Sequence, residues 1–437
     1  MLTRSPYDRE IRRLAIPALG ALIAEPLYVL ADTAVVGHLG TPELGGLALA
    51  SEIILISLSV FVFLAYGTTA AVARLIGAGD HREAAHQAVQ GLWLALGLGV
   101  VLGAAGWVFA DPLLRALGGE GEVLANGRVY LRISMFGLPA MLMSLAAVGY
   151  LRGLQDTVRP LIVALTTAAA NLVLELLLIY RFDQGIGASA LSTVLVQWAG
   201  ALAYGWWIAT AVRAHHVGLD ADLRSIGRLA RTGIDLFVRT AALRGAFVVA
   251  AAVAARIGTD DLGAHHISFA MWTFIALALD AVAIAGQAII GRRLGGGDAA
   301  GARAAGRRML DWGLLTGVAA GVLVIALRPV LPGVFSSDEA VLSLTAFLFL
   351  WLAVMQPANG LVFVLDGILI GAGDLRFLAW AMVAASAVFV PLAVAVRVLD
   401  YGIGWLWGAM VVFMMVRLAM LTARFRSDAW LVTGATR

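Results

Sequence analysis

The sequence predicts an all-α integral membrane protein: twelve transmembrane helices forming two parallel six-helix lobes, related by a pseudo-two-fold axis along the membrane normal. Three observations carry this expectation. The 437 residues are 61% hydrophobic and only 14% charged, against about 25% charged in soluble domains. Twelve apolar runs are long enough to cross a hydrocarbon layer of about 30 Å, which takes roughly 20 helical residues. The second half of the chain also repeats the first at a fixed offset.

The first apolar run, 13–36, is too long for a secretory leader and has no small-residue cleavage site, so it stays as helix 1. Helices 2 to 6 follow at 47–74, 86–109, 128–150, 159–180 and 187–212. Helices 7 to 12 follow at 231–256, 263–291, 308–331, 342–370, 377–398 and 402–423. The polar stretch His215–Arg228 separates them. This divides the chain into an N-lobe over 1–214, a linker over 215–228 and a C-lobe over 229–437. No polar segment remains for a soluble domain.

All 31 basic residues are Arg. Twenty-one fall at the two termini and the connections on one side, among them Arg4, Arg12, Arg82, Arg159, Arg303 and Arg437. Only Arg115, Arg128, Arg181, Arg256, Arg328 and Arg397 fall on the other. Arginine is retained on the cytoplasmic side, so both termini and the linker are expected there. The net charge of +3 comes from these loop arginines and gives no reason to expect nucleic acid as a partner. The absence of cysteine excludes disulfides, thiolate catalysis and Cys-ligated metal.

The repeat is visible in the connections. LGTPELGG at 39–46 returns as IGTDDLGA at 257–264, an offset of 257 − 39 = 218. GAGD at 77–80 returns as GGGD at 295–298, GLQD at 153–156 as GAGD at 371–374, and Pro139 as Pro357, all at the same offset. Six helices per repeat is an even number, so the repeats enter from the same side and are parallel. GAGD and GGGD are turns and not phosphate cradles, because no strand precedes them and no GK[ST] follows. Gly79 reads as a helix C-cap, and Asp80 with Glu83 as a capping box.

Buried acids do not follow the repeat. Asp32 corresponds to Ala250, Asn171 to Phe389 and Glu175 to Ala393; Asp280 corresponds to Val62 and Asp366 to Val148. Residues that serve the fold should recur, whereas residues that serve one site need not. In helix 1, Glu25 and Asp32 lie seven apart, two turns, and point to roughly the same side. Pro26 removes a backbone donor between them, so a bend is expected there. An acid inside a membrane span faces a cavity or a partner.

Asp32 and Glu175 lie four and five residues before the outer ends of their helices, about 6–8 Å below the surface. Asn171 is one turn from Glu175, Tyr28 one turn from Asp32, and Thr193 and Tyr130 fall near the same level. These groups are either separate interhelical hydrogen bonds or one oxygen-rich pocket. Without a fixed cation, such a pocket suits H+ or Na+.

In the C-lobe, Asp280 and Asp366 share the interior with Asp235, Arg239 and Arg244. Internal pairing and a second functional site both remain open there. His265 and His266 point to different helix faces, which makes a poor metal site, and they read as surface residues. No HExxH, activated nucleophile or soluble catalytic loop is present, so an enzyme is not expected.

With these residues in view, the chain resembles the multidrug and toxic compound extrusion (MATE) transporters, in the branch named for the DNA-damage-inducible protein F. The resemblance covers all twelve helices. It is carried by LAIP at 14–17, PLYVLADTAVVGHLG at 26–40, ALDAVAIAGQAIIG at 278–291 and VLDGILIGAG at 364–373. It implies export of small amphipathic or cationic compounds by alternating access, coupled to H+ in preference to Na+, with no cofactor, from a bacterial inner membrane and as a monomer.

In relatives, the positions matching Asp32, Asn171, Glu175 and Thr193 form the cation site, and helix 1 bends on protonation at the position matching Pro17. Two residues depart from the family pattern: Glu175 stands where relatives commonly have Asp, and Gln287 where many have Glu. A lipid-linked saccharide flippase of the same superfamily is the alternative; its pyrophosphate cargo would call on Arg239, Arg244 and Arg417.

Overall fold

The computed structural model describes residues 5–181 and 185–436; Arg4 and Arg437 of the topology argument lie outside the described residues. Among these, eleven helices are long and apolar enough to cross a membrane, and one bent pair brings the number to twelve. Helix 1 is Pro6–Gly37, helix 2 Thr41–Gly77 and helix 3 His81–Val108. Helix 4 is the pair Gly121–Ser134 and Leu138–Gly153, bent by 50°. Helix 5, Val158–Leu176, continues into a π-helical turn, Leu177–Arg181, and helix 6 is Ile186–Ala214. Helices 7 to 12 are Leu223–Ile257, Thr259–Gly295, Ala299–Leu327, Glu339–Gly371, Leu375–Val398 and Ile403–Arg426.

The duplication is written into the helix starts. Thr41 and Thr259, His81 and Ala299, and Gly121 and Glu339 are each 218 apart; Ile186 and Ile403 are 217 apart. The connections recur with them. Gly79 and Gly297 both have φ of +80°, a left-handed conformation that only glycine adopts without strain. Asp80 then accepts a hydrogen bond from the Glu83 N–H at 2.9 Å, and Asp298 accepts one from the Gly301 N–H at 2.7 Å. The capping box is one-sided, because the Asp80 N–H bonds the Leu75 carbonyl and the Glu83 side chain turns to Gln87. In its loop, the Asp298 carboxyl is held below the usual range, first by the Gly301 N–H and then by Arg293.

The repeats differ at their matched prolines. Pro357 sits inside the unbroken helix 10, whereas the chain breaks at Met135–Gly137, just before Pro139. All three residues of the break differ from their matches, Met135 from Ala353, Phe136 from Val354 and Gly137 from Met355, and one of them has a close neighbour. A Cβ on Gly137 would collide with the Gln197 side chain.

Glycines also set the distance between neighbouring helices. A Cβ on Gly103 would lie 2.8 Å from the Met135 carbonyl oxygen, and one on Gly321 2.8 Å from that of Ala353, the same contact 218 residues later. Backbones this close are the usual membrane-helix interface of small residues. Gly321→Val is therefore expected to lower stability by about 1–3 kcal/mol, the usual effect of overpacking. Gly245→Ala, where nothing lies within 4 Å of the added carbon, should be neutral or slightly stabilising. Thermal unfolding of the detergent-solubilised proteins checks both.

The chain forms two compact units, 20–233 and a second comprising 1–19 with 234–437, where sequence order places residues 1–19 in the first lobe. Within the second unit, the start of helix 1 is fastened to helix 9. Arg308 donates to both Asp8 oxygens at 2.7 and 2.9 Å, and the Trp312 indole N–H donates to Asp8 at 2.8 Å. This bidentate, charge-assisted geometry is the strong form of a carboxylate contact.

Candidate functional site

The polar residues of helices 1, 5 and 6 meet inside the 20–233 unit. Asp32, 5% exposed, accepts a hydrogen bond from the Ser189 hydroxyl at 2.7 Å. One turn away on each helix, the Tyr28 and Thr193 hydroxyls share a hydrogen bond of 2.8 Å. Two parallel rungs thus tie helix 1 to helix 6, at 32–189 and 28–193. They arise because both pairs are spaced by four residues, one helical turn.

Helix 5 brings Asn171 and Glu175, again one turn apart and both buried. The Glu175 carboxyl lies beside Asp32 and Ser189, yet neither of its oxygens reaches hydrogen-bond geometry with a described residue. Both polar side-chain atoms of Asn171 likewise have no partner among the described residues. Tyr130, buried on the first half of helix 4, is within electrostatic reach of Asp32, Tyr28 and Glu175. The chain turns π-helical directly after this stretch of helix 5, a distortion that recurs at functional sites.

A cavity of about 280 Å³ adjoins the cluster. Tyr28, Asn171 and Thr193 face it; Asp32 and Glu175 do not line it. Its wall includes Ala21, Leu58, Met141 and Val148, with Glu25, Gln197 and Tyr204 among the polar lining groups. An apolar cavity with a few convergent polar groups is the usual form of a small-molecule site.

Seven predicted residues therefore share one unit and one neighbourhood: Glu25, Tyr28, Asp32, Tyr130, Asn171, Glu175 and Thr193. Helix 1 runs as one helical element through Pro26, which stays in this unit, and through Pro17, which belongs to the other. Ser189 escaped the sequence reading. Its only signal is its position one turn before Thr193, and a serine among small residues reads equally well as helix packing.

The second unit holds the other predicted group. Arg239 and Arg417 each donate to Asp366 Oδ2 at 2.6 Å, so internal pairing is what the structure shows there. Arg417 reaches this carboxylate from helix 12. Asp280 is half-buried on helix 8 and is not an isolated charge. Gln287 is buried, and its backbone packs against Gly371. One expectation is overturned: His265 is not a surface residue but 2% exposed, packed against Phe269 and Trp407. Phe269 lies four residues on, so the helical turn faces both rings into the bundle, while His266 remains exposed.

Residues 17–177 and 237–395 both match the family model MatE. "Protein DETOXIFICATION 44, chloroplastic" of Arabidopsis thaliana is 31% identical over 425 residues, covering 94% of this chain and 80% of that protein. "DNA damage-inducible protein F" of Escherichia coli K12 is 29% identical over 427 residues, covering 96% of this chain and 92% of that protein. Among solved structures, an outward-facing multidrug resistance MATE transporter superposes with a TM-score of 0.89 at 21% identity, over 98% of this chain and 97% of that one, and shares the fold. The two family matches cover more than half of the chain, one in each repeat, and the chain belongs to the MatE family of multi-pass membrane transporters.

Proposed function

We propose that this protein is a secondary active exporter, moving small amphipathic or cationic compounds outward by alternating access while H+ moves inward. The observation that carries this reading is the closed pair of acids, Asp32 and Glu175, beside the cavity that Tyr28, Asn171 and Thr193 border. Two neighbouring carboxylates with so few donors are stable together only with a proton or a cation between them. Na+ is the alternative ion, with Asp32, Asn171, Glu175 and Thr193 as its oxygen ligands. In the cycle, the charged cluster leaves the cavity open to cargo. Neutralising it from outside lets helix 1 repack and the cargo leave.

Cytoplasmic termini, a bacterial inner-membrane location and a monomeric state belong to the same proposal. The flippase alternative draws less support. A pyrophosphate needs cationic ligands, no arginine lines the cavity among the described residues, and Arg239 and Arg417 are tied to Asp366.

The test is uptake of a fluorescent cationic dye by proteoliposomes, with a pH gradient and a Na+ gradient imposed separately. The pH gradient is expected to drive accumulation and the Na+ gradient not to. Movement under neither gradient would remove the exporter reading and turn attention to lipid-linked cargo.

A further inference from the structure

The cavity of the 20–233 unit contains one charged side chain, Glu25, among its described lining residues. The other polar groups facing it are neutral hydroxyls, phenols and amides, from Ser144 and Thr167 to Gln197 and Tyr204. Glu25 is exposed to this space and has no hydrogen bond or ion pair with another described residue. It lies twelve residues before Gly37, about 18 Å along the helix and so near the middle of a bilayer. A carboxylate at that depth needs a counter-charge, and the cavity wall supplies none.

Asp32, seven residues on, is in a different situation: it holds the Ser189 hydroxyl and does not line the cavity. The two acids of helix 1 therefore face different things, one the cargo space and the other the closed cluster.

We propose that Glu25 reads the charge of the cargo, binding the single positive charge of a small, flat amphipathic cation whose apolar body lies on the Leu58–Met141–Val148 wall. This deepens the exporter reading and rests on it. The volume of about 280 Å³ is at the small end of ligand pockets and accommodates a body of a few fused rings. One carboxylate neutralises one charge. A dication of equal size would bring a second, unpaired charge into a low-dielectric space, so monocations are selected over dications as well as over neutral analogues.

Equilibrium binding by the full-length protein in nanodiscs tests this without any gradient. The probes are N-methylacridinium, a fluorescent planar monocation; acridine, its neutral counterpart at alkaline pH; and the dication methyl viologen. Glu25→Gln is expected to weaken N-methylacridinium by at least about 30-fold, as truncating one partner of a buried charge pair does, and to leave acridine unchanged. Glu25→Asp keeps the charge and should retain the preference for the monocation.

Unchanged N-methylacridinium binding in Glu25→Gln would overturn the proposal, as would equal loss of both planar probes in the Gln and Asp variants. Methyl viologen binding as tightly as the monocation would overturn the single-charge rule. The exporter reading stands or falls separately, on the gradient experiment with the unaltered protein.

Discussion

Asp32→Asn is expected to reduce pH-driven dye accumulation in proteoliposomes by about 100-fold, near the upper range of a typical coupling between two sites. The side chain keeps its shape and an oxygen that can accept the Ser189 hydroxyl, so the 32–189 rung survives. What is lost is the charge. A group that is neutral at every pH has no differential response to the two sides of the membrane, and a ligand shifts an equilibrium only by its differential affinity for the two states. Stability should hold or rise, because the substituted amide no longer places a second charge beside the unpartnered Glu175 oxygens. Transport at the unaltered rate by a folded variant would show that Asp32 does not carry the coupling.

Much of this site was legible in the sequence, and for a physical reason. Helical period and hydrocarbon thickness turn residue number into depth, so Asp32, Asn171, Glu175 and Thr193 could be placed at one level before any contact was known. The 218-residue offset did similar work for the fold, because recurring Gly and Asp residues mark helix junctions that reappear with the same caps and the same φ. Long-range contacts were not legible. Nothing local pairs Asp8 with Arg308, 300 residues away, or predicts that residues 1–19 group with 234–437. The burial of His265 depends on Trp407 arriving from helix 12. The break before Pro139, against the continuous helix at Pro357, is not marked by the proline itself, which both repeats share.

The second large effect is expected at Asp366, and it is one of stability. Its Oδ2 accepts hydrogen bonds from both Arg239 and Arg417, each at 2.6 Å, and all three side chains are at least nine-tenths buried. Asp366→Ala removes the shared carboxylate and leaves two guanidinium groups facing each other across the space it filled. Breaking a buried pair by deleting one partner typically costs about 3–5 kcal/mol, because the remaining charge is stranded away from water. Repulsion between the two guanidinium groups, no longer screened by the carboxylate, places this variant at the upper end of that range. Arg417 keeps Phe413 5.7 Å beneath its guanidinium, a cation–π contact of about 2 kcal/mol at most when desolvated, too small to compensate. Asp366→Asn should fall between, since its amide oxygen still accepts from one arginine but offers no charge. The decisive comparison is the double variant Asp366→Asn with Arg417→Gln, which deletes one charge of each sign. Its thermal midpoint in detergent should lie above that of Asp366→Asn alone, a coupling expected of residues in direct contact. If the two losses simply add, the triad is not an electrostatic unit, and the close approach of the arginines to Asp366 contributes packing alone.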